Sequence, residues 1–535
     1  MTPLSFRVTF QLGRESVFLP RQANADWSGV GCHMNRSKAL SFFSFLLFSI
    51  FSASACSGPK GGVVCVGAVC GGGNGTVAVT MVADTLPANP SLLTFQVTIT
   101  SLKFTSSGGT STTVNLSPAL TVDLMRLQTD SVFLGTFASI PAAQYSSVTL
   151  VLTGNANITF LNDTGATLSS CPANTICPLS LAASSNPVAN LSFTVSQNSV
   201  TGIGIDLNFA KAVSISGASL AVNFSNSNVL NAFTLPRASS NLASGQLDLI
   251  EDFTGVVSLN NSTVTITPST ATGRGPLAAT ASSSTIYDPD PTGVLCPTGT
   301  TQLTSCVSSN QAASVDVVLK SDGTLAVQEI EPLLGTLQDT VEGIVVSINS
   351  GNQTQFTLVV TNLIPAAPNS LIGSLKIGDG LTVNLANAVK PFLVDTKGLP
   401  VASQFAAVLG NFTNQTNTTA LHLGQTVAVH VTALTAAQGT TIASSTADTV
   451  TLRWTRFTAA TSSASTPAFS ITGFPAFFNA TGIAQVEAFP ATNLDGITGT
   501  ANLVVPNPVA MRALFIENSS NSAVPAFFAA KVRQH

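Results

Sequence analysis

Charge is scarce in this 535-residue chain: Asp, Glu, Lys and Arg together supply 8% of it, as 20 basic against 24 acidic residues. The net charge of -4 and the scattered placement of Lys and Arg leave no basic stripe to neutralise phosphates, which excludes a nucleic-acid partner. Tyr and Trp occur twice each, against 31 Phe, so the aromatic rings are core material without the polar tips that serve sugar or base stacking. Histidine is confined to His33, His422, His430 and His535. The chain contains no G-x-S-x-G elbow, H-E-x-x-H pair, phosphate loop or dinucleotide fingerprint. These absences predict a non-enzymatic protein with no catalytic residue, metal or cofactor. Long helical periodicity is also missing, and Gln404–Leu409 is the best short helix candidate.

What is present is apolar and export-like. Hydrophobic residues reach 44%, too many for global disorder, and the length suits about three or four domains. Met34-Asn35-Arg36-Ser37-Lys38 is a short cationic stretch, followed by a charge-free run from Ala39 to Ala55 that ends in small residues before Cys56. That order is a secretory leader, shorter than a spanning helix and without a basic stop signal behind it. Ala53-Ser54-Ala55-Cys56 resembles the bacterial lipobox, with Ala53 where Leu is usual, which implies lipidation of Cys56. Residues 1–33 then read as a gene-start artefact, 34–55 as the signal peptide and 56–75 as a Gly-rich tether. The remaining cysteines fall into three close pairs, Cys65 with Cys70, Cys171 with Cys177 and Cys296 with Cys306, predicting three local disulfides in an oxidising compartment. Zinc is disfavoured because no C-x2-C spacing occurs and the histidines lie far from these pairs.

From Thr76 the pattern alternates, as in Thr76–Val82 and Leu93–Thr100, with Pro, Gly, Asn and Ser clusters between runs. An all-β fold follows. The strand Leu93–Thr100, the segment Val122-Asp123-Leu124-Met125, the run from Ile140 through Tyr145 to Val148, and Ile205–Phe209 resemble, in order, the bacterial domain of unknown function 4382, with Ala143 where Gly is usual. The resemblance implies an immunoglobulin-like or transthyretin-like sandwich over 76–240, in surface lipoproteins of no established activity. Further on, Phe253–Asn260 is echoed by Val341–Asn349, and Leu375–Val383 by Leu421–Val429, which predicts duplicated small β units. These segments resemble the domain of unknown function 5666, implying small β-barrels of the oligonucleotide/oligosaccharide-binding (OB-like) kind. The expected order is a barrel at 241–335, a second at 336–460 and a C-terminal β region at 461–535.

Acidic residues form three modest groups: Asp248, Glu251 and Asp252; Asp288 and Asp290; and Glu329 with Glu331. Paired carboxylates can bind Ca2+ or serve as acid and base, but none has an EF-hand spacing, and prolines around Asp288 suggest an extended solvated loop. His422 and His430 flank a Gly424-Gln425 turn and could share a ligand, although no third ligand is spaced to join them. The Asn-x-Thr triplets at Asn411, Asn414 and Asn417 reflect Asn/Thr richness. The expected function is a cell-envelope lipoprotein, held to the membrane through an N-terminal lipid, that binds envelope proteins or glycans, adheres or assembles. The alternatives are an exported hydrolase or carbohydrate-active enzyme using Asp248, Glu251 and Asp252, and a structural spacer.

Overall fold

Thr and Val are abundant, and both favour strands in which apolar side chains face a core and hydroxyls face out. The computed structural model describes residues 73–84, 91–183, 186–237, 242–336, 338–366, 369–387, 389–397, 409–410, 412–478, 484–516 and 526–534. The leader, the tether up to residue 72, Cys56, Cys65, Cys70, His535 and all of the helix candidate except Leu409 lie outside these residues, and Asn74 and Gly75, expected in the tether, already belong to the first strand. Among the described residues the fold is all-β, with short single-turn helices between strands. No helix among them is long and apolar enough to cross a membrane.

The first module comprises β1 (Asn74–Asp84), β2 (Ser91–Ser106), β3 (Ser111–Asp123), β4 (Val132–Pro141), β5 (Ala143–Leu161), β6 (Ile176–Ala182), β7 (Val188–Val195), β8 (Val200–Asn208), β9 (Val213–Ser216), β10 (Ser219–Val222) and β11 (Leu230–Thr234). One sheet runs β11-β8-β1-β4, and the other runs β3-β2-β5-β6 with β7 also paired to β5. They enclose one core that includes Val77, Val79, Met81, Phe95, Phe104, Tyr145, Phe160 and Phe193.

Three barrels follow. β12 (Gln246–Asn260), β13 (Thr263–Thr267), β14 (Leu277–Thr280), β15 (Ile286–Tyr287), β16 (Gln311–Lys320) and β17 (Leu325–Thr336) form the first. The second contains β18 (Thr340–Ile348), β19 (Gln355–Ile364), β20 (Gly380–Leu385), β21 (Leu393–Val394), β22 (Thr426–Thr435) and β23 (Ala443–Arg453). The third contains β24 (Thr455–Ser463), β25 (Ala468–Thr472), β26 (Ala484–Asp495), β27 (Pro508–Phe515) and β28 (Phe527–Gln534). Each closes in the same way. The first strand pairs antiparallel with the second and fourth main strands, and the third pairs parallel with the fifth: β14 with β17, β20 with β23, and β26 with β28. This is the five-stranded Greek-key order of an OB-like barrel, so the C-terminal β region is a third copy of the same topology. The run Val450–Phe457 is two strands parted at buried Trp454, and the last barrel therefore begins at Thr455.

The sequence echoes have distinct structural causes. Phe253–Asn260 and Val341–Asn349 are the opening strands of two barrels, and Gly255 and Gly343 occupy the same place in each. A Cβ at either would stand 2.5 Å from a carbonyl of the neighbouring strand, Thr267 or Val359. The other echo lies within a single barrel. Leu375–Val383 and Leu421–Val429 enter β20 and β22 through one type of turn: the Lys376 N–H donates to Asp379 Oδ2 at 2.8 Å, and the His422 N–H to Gln425 Oε1 at 2.8 Å. Gly378 and Gly424 precede the capping side chains at φ +92° and +90°, where a Cβ is disfavoured. The same turn leads into β12 through Ala243 and Gln246 and into β16 through Ser308 and Gln311. The recurrence expected from duplicated units is thus partly the recurrence of a strand-entry turn.

Two cysteine pairs are bonded among the described residues. Cys171–Cys177 closes the loop before β6, and Cys296–Cys306 closes the long loop between β15 and β16. The described residues belong to one compact unit. Apolar contacts cross the module boundaries: Leu514, Ile516 and Phe528 of the last barrel join the core of the second, and Ala78 of the sandwich joins that of the first.

Candidate functional site

The few charges of this chain are concentrated between its modules. The junction starts from a bulge in β12, where the pairing with β16 shifts register between Ile250 and Phe253. Successive strand side chains normally point to opposite faces, and a bulge re-aims them. Asp252 adopts φ +52°, a left-handed conformation that Asp tolerates better than most residues. Both Glu251 and Asp252 are buried as a result, with 5% and 2% of their surface exposed.

Partners converge on them from the other modules. Arg456 at the start of β24 places Nη2 2.6 Å from Asp252 Oδ2 and Nε 2.7 Å from Asp130 Oδ2, which tethers the sandwich. Arg512 on β27 reaches Glu251 Oε1 at 2.9 Å and Asp252 Oδ2 at 3.3 Å, and Lys531 on β28 also pairs with Glu251. From the second barrel, Lys397 Nζ lies 2.9 Å from Asp252 Oδ1 and 2.6 Å from Asp316 Oδ1. Asp316 Oδ1 additionally accepts the Asp252 N–H at 2.8 Å. Nearby, Glu342 on β18 binds Arg126 of the sandwich at 3.1 Å and Arg453 at 3.3 Å, and Arg453 also pairs with Asp395.

These contacts divide the carboxylates into two classes. Burial alone would raise Glu251, but Arg512 and Lys531 outweigh it and bring it down to about 2. Asp252 is likewise held well below its ordinary value because Lys397, Arg512 and Arg456 overcome the burial penalty. Asp316 and Glu329 share a single lysine and face other carboxylates, so burial prevails and pushes each up to about 7. Glu331, buried beside Asp395, is also held well above its ordinary value. Asp248 is also raised by burial.

A cavity of about 450 Å³ opens beside the junction, with Arg237, Asp248, Asp316, Glu329, Lys397, Asp495 and Lys531 on its wall. It joins Asp248, Glu251 and Glu329, carboxylates from two of the sequence groups. Asp252 lies behind it, occupied by three cations. Asp290 departs from the expected solvated loop. It is buried, and its carboxylate accepts the N–H groups of Thr292 and Leu295, because the prolines turn the chain into a cap rather than extending it. His422 and His430 are engaged separately: His422 lies against Phe515, whereas His430 Nδ1 is 2.6 Å from Asp448 Oδ1. No group of three or more metal-ligating side chains occurs among the described residues.

Sequence reasoning missed Asp130, Asp316, Lys397, Arg456, Arg512 and Lys531. The available signal was a charged residue alternating with apolar ones on an otherwise uncharged strand, as at Lys531-Val532-Arg533 and Glu329-Ile330-Glu331.

The family resemblance has a structural explanation at its motif positions. Buried Tyr145 stacks on Phe193 with ring centres 5.2 Å apart and donates its hydroxyl to the Pro141 carbonyl at 2.9 Å, a corner that fixes the start of β5. Asp123 accepts the N–H groups of Phe95 and Met125, tying β3 to β2. Residues 74–221 match the family described as Domain of unknown function (DUF4382). The match runs from β1 into β10, and within it Tyr145 and Asp123 hold the sandwich together. No curated protein matches the chain.

Asp252→Asn keeps the size and the left-handed backbone but removes the charge shared by Lys397, Arg456 and Arg512. Breaking such a buried cluster should cost about 3–5 kcal/mol, read as a lower urea midpoint. Stability should also have a sloped pH profile. Raised carboxyls such as Asp316 and Glu329 favour the folded state when protonated, so the midpoint should rise as pH falls from about 8 through 7. Glu251 and Asp252 are depressed and stabilise only when ionised, so that gain should reverse below about pH 4. A midpoint flat between pH 8 and 5 would contradict this assignment.

Proposed function

We propose that the protein is exported, anchored to the bacterial envelope by a lipid on Cys56, and works without catalysis as a rigid scaffold for binding or assembly. The observation that carries the non-catalytic part is the saturation of Asp252. A carboxylate held by three buried cations stays ionised and has no proton to give. Glu251 is similarly occupied by Arg512 and Lys531. The leader and lipobox-like segment support export and anchoring, and the Cys171–Cys177 and Cys296–Cys306 bridges are consistent with an oxidising compartment. Radiolabelled palmitate should enter the wild type in the membrane fraction, and Cys56→Ala should abolish the label. A labelled Cys56→Ala protein would remove the anchor.

One observation favours a second reading, an exported hydrolase. Asp316 and Glu329 stand at about 7 on the wall of a 450 Å³ cavity, where a general acid could work. A hydrolase panel on the purified protein separates the readings. The scaffold predicts no turnover, whereas activity lost in Glu329→Gln would make the protein an enzyme.

A further inference from the structure

We propose that a second opening, the groove where the DUF4382 sandwich meets the first two barrels, is a binding site for a neutral saccharide. This deepens the binding reading above and rests on it.

The groove encloses about 510 Å³, a size typical of small-ligand sites. One wall is the outer face of β2, β3 and β5. The single turn at Thr270–Thr272 of the first barrel and the Lys376–Asp379 strand-entry turn of the second complete it. The assembly is tight, since the Thr159 hydroxyl donates to the Gly378 carbonyl at 2.9 Å and the Thr121 N–H to the Gly273 carbonyl at 3.2 Å. The groove therefore exists only when all three modules are docked.

Its chemistry is the opposite of that of the charged cavity. Hydroxyls and amides face it from Thr98, Thr121, Asn157 and Ser180, and its only charged lining residues, Lys376 and Asp379, are of opposite sign. On the floor lies Gln96, with 8% of its surface exposed. Its carboxamide lines the groove and has no hydrogen-bond partner among the described residues. The amide is not among the buried groups shut off from solvent, so it opens onto the groove, where a ligand can take the place of water. A ligand rich in hydroxyls and free of charge satisfies the amide and the surrounding Thr and Asn groups together. A carboxylate, phosphate or ammonium group would be desolvated there with no single-signed counter-charge. The lining has no aromatic ring, so stacking adds nothing and affinity should lie in the millimolar range.

Saturation-transfer NMR on the purified chain, with cellobiose and diacetylchitobiose as probes and choline and succinate as charged controls, tests the site. At least one disaccharide should show transfer, and the controls none. Gln96→Leu should weaken it at least about tenfold, close to the loss expected when a sugar hydroxyl loses a buried partner. Thr270→Trp, at an exposed rim position, should block entry without disturbing the core, and it decides the matter if Gln96→Leu fails to fold. No transfer from either disaccharide, equal transfer from the charged controls, or a signal that survives the variants overturns the site and leaves only ordered water in the groove. Palmitate labelling and the hydrolase panel read the anchor and the scaffold separately, so failure here is distinguishable from failure there.

Discussion

Asp252 is the point on which the arrangement of the modules depends. It belongs to the first barrel, takes Lys397 from the second and both Arg456 and Arg512 from the third, and through Arg456 is joined to Asp130 of the sandwich. Removing charges from water is expensive, and in the interior each must be matched in geometry as well as sign. Apolar faces slide past one another at little cost, whereas a carboxylate facing three cations admits few relative positions. The apolar contacts across the boundaries supply attraction, and the ionic junction supplies the register. The β12 bulge makes this possible by turning two consecutive carboxylates into one interface.

The barrels show how a simple unit becomes an asymmetric assembly. All three share one strand order, and the first two share an opening glycine pressed against the adjacent strand. Their outward faces differ in charge. The last strand of the first barrel carries Glu329 and Glu331, that of the second ends in Arg453, and that of the third carries Lys531 and Arg533. Duplicated backbones with divergent outer faces can pack on each other in one order, because a like-charged pairing at these positions would be repulsive.

Internal use of charge also shapes the two openings. The cavity beside the junction is lined by ions that largely answer one another, so it contributes a proton-sensitive core. The groove over Gln96 is lined instead by hydroxyls and amides, with Lys376 and Asp379 as its charged residues.

Much of this architecture is written locally. Period-two alternation determined the strands, the Gly-Asp and Gly-Gln turns determined where several begin, and the Val122–Met125 and Ile140–Tyr145 segments marked the DUF4382 sandwich, because each depends on residues close together in the chain. The acidic groups at Glu251 and Glu329 were visible as well, but their role was not. Whether Asp252 is a proton donor or the centre of a salt bridge depends on Lys397, Arg456 and Arg512, which are 145, 204 and 260 residues away in the chain. Asp290 changed from solvated to buried for the same kind of reason, and Gln96 became notable only once two barrel turns closed over it. The sequence by itself determined strand, turn and core, since those follow from short-range patterns. Tertiary structure alone decided which charges meet and which polar groups are buried, since desolvation and ion pairing depend on distance in space.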